Sequence, residues 1–185
     1  VTSRTPPLIT IVGRKHAGKT TLVVQLAVAL RRRGLRVMTI KHGSHTFSLD
    51  PSTTDTWRHF HEGEAEGVAM VSPDRFALVM RRSEEESPSA IAQRFFADAD
   101  LVLCEGFKAS ALPKIEIVRR AAHERSLAEE GLIARETLLA VVTDTPGAVA
   151  APRTFDLDDA SWLDALADFV AGYLADVASR SAGSP

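Results

Sequence analysis

The chain has 185 residues, 45% of them hydrophobic and 25% charged, with 22 basic against 24 acidic residues for a formal net charge of −2. That length supports one domain with a sizeable core, and so even a charge balance excludes broad electrostatic attraction to nucleic acid or anionic lipid. No apolar run approaches the ~20 residues of a membrane helix, the opening VTSRTPP lacks signal-peptide form, and the single cysteine, Cys104, cannot form an internal disulfide, so a cytoplasmic location is expected.

VTSRTPP (1–7) and SRSAGSP (179–185) read as flexible tails around one domain over 8–178. Leu8–Val12 is a short apolar run ending in glycine, the pattern of a strand buried on both faces. Leu22, Leu26 and Leu30 then repeat every four residues, with Val23 and Ala27 beside them, on a helix with one buried face. Arginines crowd its last turn, suiting the negative end of the helix dipole, and Gly34 ends it. A second strand is expected over 36–41, then a polar loop, a short helix over 55–62, and a hairpin of 67–72 with 75–81 turning at Pro73-Asp74. After the charged stretch RRSEEESPS, 90–97 reads as helix and 101–104 as a buried strand. Lys114–Val118 alternates polar with apolar, which predicts one exposed face. A further buried strand covers 138–142, and Trp162, Leu166, Phe169 and Tyr173 mark a closing helix. Strands alternating with helices predict an α/β fold, a mostly parallel sheet with helices on both faces. Ligands of such sheets bind beyond the carboxyl ends of the strands.

Residues 13–20, Gly-Arg-Lys-His-Ala-Gly-Lys-Thr, fit G-x-x-x-x-G-K-[ST] at every fixed position, between a strand and a helix. Gly13 and Gly18 permit close backbone approach, and the N–H groups through His16 and Ala17 form an anion nest at the helix N-terminus. Lys19 is placed to bridge β- and γ-phosphates, Thr20 to ligate Mg²⁺, and Thr21 to reach the α-phosphate. Such a site needs a carboxylate for metal or attacking water. Glu105, directly after the buried 101–104 strand, and Asp50, in the loop after the second strand, are the candidates. The alternative for Asp50 is a cap or turn role beside Pro51-Ser52-Thr53-Thr54. Asp100 begins its strand and so belongs to the opposite, structural end.

His42, His45, His59 and His61 cluster in sequence, but no cysteine joins them and their spacing matches no zinc pattern. The strand-end position of His42 and His45 favours a role near phosphate. No Asn-Lys-x-Asp motif for guanine is present. Asp144, after the 138–142 strand, can accept from guanine N1–H and N2–H₂, or cap the turn Thr145-Pro146-Gly147.

Taken together, GRKHAGKTTL, TIKHGSH, LDPSTTDTWR, DLVLCEGFK and PKIEIVR resemble the MobB family, from about Leu8 to Asp144. The EGFK and PKIEIVR segments are much more specific than the phosphate loop. The resemblance implies a P-loop NTPase of the signal-recognition-particle-like class that binds GTP with Mg²⁺. It also implies weak hydrolysis, a homodimer, and a MobA-type molybdopterin guanylyltransferase as partner. Molybdopterin or its guanine dinucleotide is then a candidate further ligand. In this alignment Lys19 and Thr20 carry the phosphate-loop roles, while Asp50 and Glu105 match the two acidic positions. The chain departs at Thr53 and Thr54, where the family carries glycine and lysine, although Arg58 is kept. Two other readings remain open: a P-loop small-molecule kinase, with Arg119 or Arg120 closing over phosphates, and a nucleotide-switched dimer that pairs through an exposed edge at KIEIV.

Overall fold

The computed structural model describes residues 5–43, 50–123, 125–147 and 149–182. The chain divides into two compact units, one from residues up to His42 together with those from Pro88 onward, the other spanning Gly43–Ser87.

The first unit is a parallel sheet of six strands: β1 (Leu8–Val12), β2 (Val37–Lys41), β5 (Leu101–Glu105), β6 (Lys114–Val118), β7 (Leu138–Thr143) and β8 (Thr154–Asp156), in the order β2-β5-β1-β6-β7-β8. Two-residue alternation sends side chains to opposite faces. Ile9, Ile11, Leu101, Leu103, Ile115, Ile117, Ala140 and Val142 pack on one face with Leu22, Leu26 and Leu30 of α1 (Lys19–Arg32) and Leu166 and Val170 of α4 (Trp162–Ala182). On the opposite face Leu8, Val102 and Cys104 meet Ala92 of α3 (Pro88–Phe95). Val12, Val118 and Val141 meet Leu127, Ala128 and Ile133 there. This is the expected parallel sheet with helices on both faces. Arg33, at the C-cap of α1, ties that helix to α4 through Asp164 (3.2 Å) and Asp168 (2.8 Å).

The second unit carries α2 (Asp55–His61) and an antiparallel hairpin of β3 (Gly67–Val71) with β4 (Phe76–Met80). Thr54 caps α2, accepting from the Trp57 N–H at 3.2 Å. Among the described residues no helix is long and apolar enough to cross a membrane.

The expectations for β6 are corrected. β6 has no exposed face: all five of its residues are buried, and it lies between β1 and β7 rather than at an edge. Edge pairing through KIEIV is therefore ruled out. Its two charged side chains are buried because each finds backbone partners. The Lys114 ammonium donates to the carbonyls of Ser110 and Leu112, and the Glu116 carboxylate accepts from the N–H groups of Leu127 and Ala128. β8, only three residues long, was not anticipated. The closing helix continues through Ala182, past the tail boundary expected at 179, since no glycine or proline interrupts it after Gly172 until Gly183.

Burial pushes the Glu116 carboxyl up from its ordinary pKa, while the two N–H groups pull it down. Replacing it with alanine strands two backbone donors in the core. Glu116→Ala is expected to lower stability by about 3 kcal/mol, read as a lower midpoint in urea unfolding with an unchanged slope.

Candidate functional site: a phosphate loop with a paired hydroxyl and carboxylate

The site is assembled at the carboxyl ends of β1, β2, β5 and β7. β1 runs out at Val12, and the chain turns through Gly13 at φ +150°. A Cβ there would lie 2.5 Å from the Ile117 carbonyl oxygen on β6, so only glycine lets the loop pass the sheet. His16 adopts φ +66°, Ala17 is buried, and Gly18 at φ +101° forms the N-cap of α1 without a side-chain cap. No acidic residue occupies the first turn, which leaves the helix N-terminus to an external anion. Thr20 and Thr21 are exposed in that turn.

Lys19 lies back along the loop, its ammonium donating to the carbonyls of Gly13 (3.1 Å) and Arg14 (2.9 Å). Partial burial pushes its pKa below the ordinary lysine value; Glu105 opposes that shift and Lys41 reinforces it. Thr20 donates its hydroxyl to the Glu105 carboxylate, at 2.9 Å from Oε1 and 3.0 Å from Oε2. These two residues are 85 positions apart in sequence. Glu105 ends β5 in register with Ile11 and Lys41, and its carbonyl accepts from the His42 N–H at 2.9 Å, so its backbone is fixed from both sides. Gly106 follows at φ +98°, where a Cβ would press to 3.1 Å from that of His42. The His42 ring packs on Phe107, centroids 4.9 Å apart.

The hydroxyl and carboxylate are hard oxygen donors that meet at one point, and together they would suit a Mg²⁺ ion, which would help to neutralise phosphate charge there. Thr20 and Glu105 are thus brought together with Lys19. Asp50 belongs to the other compact unit, where its Oδ2 accepts from the Thr56 hydroxyl at 2.6 Å, two residues beyond the α2 N-cap. His45 lies outside the described residues. His61 bonds the Trp57 carbonyl at 3.1 Å and stacks on that indole.

Asp144 follows β7 directly. The turn after it is braced by Thr143, whose Oγ1 accepts from the Thr145 N–H at 3.1 Å. The Asp144 carboxylate instead reaches the end of β6, accepting from the Arg120 N–H at 2.9 Å and lying 3.7 Å from Arg119 Nε. The rim residue Arg14 pairs with Glu130, in the segment that Glu116 anchors. The sequence reading passed over Lys41, whose ammonium lies 3.4 Å from Glu105 Oε1. The available signal was a lysine at the last position of the strand, the end at which such sheets bind ligands.

With this geometry established, comparison with known proteins decides the family. The model for molybdopterin guanine dinucleotide synthesis protein B matches residues 8–144. The chain belongs to that family. It is 34% identical over 169 residues to a molybdopterin-guanine dinucleotide biosynthesis adapter protein of Haemophilus influenzae, covering 91% of this chain and 89% of that one. It is 32% identical over 171 residues to the Escherichia coli adapter protein, covering 91% and 93%. A crystal structure of molybdopterin-guanine biosynthesis protein B superposes with a TM-score of 0.69 at 30% identity, over 90% of this chain and 98% of that one. A MobB homologue from Bacillus stearothermophilus gives 0.66 at 27% identity, over 91% and 98%. The P-loop α/β fold expected from the sequence is the fold of this family.

Proposed function

We propose that the chain binds GTP with Mg²⁺ at the 13–20 loop, hydrolyses it slowly, and serves as an adapter in molybdopterin-guanine dinucleotide biosynthesis. The observation that carries this reading is the Thr20–Glu105 contact beside Lys19, because a hydroxyl, a carboxylate and an ammonium at the mouth of one phosphate loop are what a magnesium triphosphate requires. In this reading the loop N–H groups and the α1 N-terminus hold the β-phosphate, and Thr21 reaches the α-phosphate. Lys19 leaves the Gly13 and Arg14 carbonyls for the β- and γ-oxygens. Thr20 and Glu105 hold the metal, whose contribution is to offset phosphate charge. Asp50 enters as a further acidic ligand only through the family resemblance. The partner is a MobA-type guanylyltransferase, with molybdopterin or its guanine dinucleotide as the molecule handled between them, in the cytoplasm. A homodimer accompanies this reading. Val71, Phe76, Leu78 and Met80 are exposed on one face of the hairpin, an apolar surface suited to a second copy.

Calorimetric titration with GTP and with ATP, each with and without Mg²⁺, tests the proposal. GTP preference that depends on Mg²⁺ is expected. Preference for ATP would transfer the site to the kinase reading, in which Arg119, paired here with Asp144, would have to close over phosphate.

Asp144 is the base reader in this scheme, its carboxylate held in place by the end of β6. Asp144→Asn is expected to weaken GTP by roughly tenfold to a hundredfold, the worth of hydrogen bonds to a charged acceptor. Because xanthine carries a carbonyl where guanine carries its amino group, the same variant should gain affinity for xanthosine triphosphate. Equal losses for both nucleotides would count against this role.

A further inference from the structure

The end of β2 carries a cation that the phosphate-loop scheme does not use. Parallel pairing of β2 with β5 sets Lys41 directly opposite Glu105. The two side chains differ in freedom: that of Glu105 is 12% exposed, that of Lys41 66%. The carboxylate is pinned by Thr20 at 2.9 and 3.0 Å, whereas the ammonium touches it at 3.4 Å from the solvent side. Like-charge repulsion from Lys41 lowers the Lys19 pKa while attraction from Glu105 raises it, so both ammonium groups feel the one carboxylate at the mouth of the loop.

We propose that Lys41 is a ligand of the terminal phosphate, and that it makes the site distinguish a nucleoside triphosphate from a diphosphate. This rests on the reading of 13–20 as a nucleotide site. When Thr20 and Glu105 turn to a divalent cation, the Glu105 charge is shared with the metal and the hold on Lys41 weakens through like-charge repulsion. The flexible lysine stem lets the ammonium move to the nearest anion on that side, the terminal phosphate. The loop N–H groups and Thr21 already serve the α- and β-phosphates, and Lys19 reaches the γ-phosphate only from the β side, so a diphosphate offers Lys41 nothing to bind. The neighbouring His42 packs its ring on Phe107, whereas the Lys41 side chain stands largely in solvent. Charge placed there also stabilises the charge that spreads over the terminal oxygens during transfer.

The test is titration of the full chain with GTP and with GDP, in Mg²⁺, comparing wild type, Lys41→Ala and Lys41→Arg. Lys41→Ala is expected to weaken GTP about tenfold, in the range of a charge-assisted contact, and to leave GDP within about twofold. Lys41→Arg, which keeps the charge, should recover most of the loss. The exposed position of Lys41 predicts an unchanged thermal midpoint, checked on the same samples. Equal weakening of GTP and GDP, or no change in either, would overturn the proposal while leaving the nucleotide site intact. Failure of the wild type to bind either nucleotide would remove the reading on which it stands.

Discussion

Lys19→Ala is expected to lower GTP affinity by at least about a hundredfold while leaving the fold in place. The ammonium is the charge at the fixed lysine position of the loop motif, and its loss removes a charge-assisted contact to two phosphates, of which each is worth about 1.5–3 kcal/mol. Stability should hardly move. In this structure Lys19 bonds the Gly13 and Arg14 carbonyls, which lie in partly exposed backbone where water can replace it. Titration calorimetry read against thermal unfolding separates the two effects. Unchanged GTP affinity in a folded variant would refute the phosphate-loop assignment. A pH dependence follows from the same group. Burial lowers the Lys19 pKa, so the free protein gives up this proton more readily than an ordinary lysine. Triphosphate favours the charged form and raises the pKa again, so binding takes up a proton in the alkaline range. GTP affinity should fall as pH rises through the lowered pKa, and Lys19→Ala should lack that dependence.

The parts of this molecule legible in the sequence are those whose signal is local. The loop 13–20 carries its own motif, β1 and α1 carry their own hydrophobic periods, and Glu105 is marked by the four apolar residues before it. What was not legible depends on which strands become neighbours. Lys41 acquires meaning only because β2 pairs with β5, and nothing within RVMTIK states that pairing. β6 was misread for a different reason. Alternation is evidence of a wet face only if polar side chains must be solvated, and Lys114 and Glu116 are instead satisfied by backbone carbonyls and amides of neighbouring loops. Those buried charges fasten the loops on either side of the strand. Lys114 closes the 106–113 loop that begins after Glu105, and Glu116 anchors the segment whose Glu130 holds Arg14 at the loop rim. PKIEIVR therefore shapes the phosphate site from beneath, with Ile117 against Gly13 and its two buried charges fastening the loops around it. Asp144 shows the same dependence: the choice between capping its own turn and reaching elsewhere is decided by Thr143, which braces the turn, and by the end of β6, which supplies the Arg120 N–H.

Glu105→Ala should separate binding from turnover. In the absence of Mg²⁺ a carboxylate beside a triphosphate repels it, so removing this one is expected to leave metal-free GTP affinity unchanged or to raise it slightly. With Mg²⁺ present the variant loses a metal ligand, and the gain in affinity that the metal normally brings should largely disappear. Hydrolysis, followed as phosphate release, should fall by about a hundredfold, comparable to the loss of other preorganised electrostatic groups. The direction of the metal-free effect is the discriminating part. Thr20 and Lys41 both lean on Glu105, at 2.9 Å and 3.4 Å, and if the carboxylate served chiefly to hold them in place its removal would loosen the loop and weaken GTP with or without metal. Its own exposure is small, but its backbone is held by β1, β2 and the His42 N–H independently of the side chain, so the strand end should persist in the variant. A large loss of metal-independent affinity would make Glu105 a structural support. A loss confined to the Mg²⁺-dependent part would leave it as the residue through which metal and triphosphate are coupled.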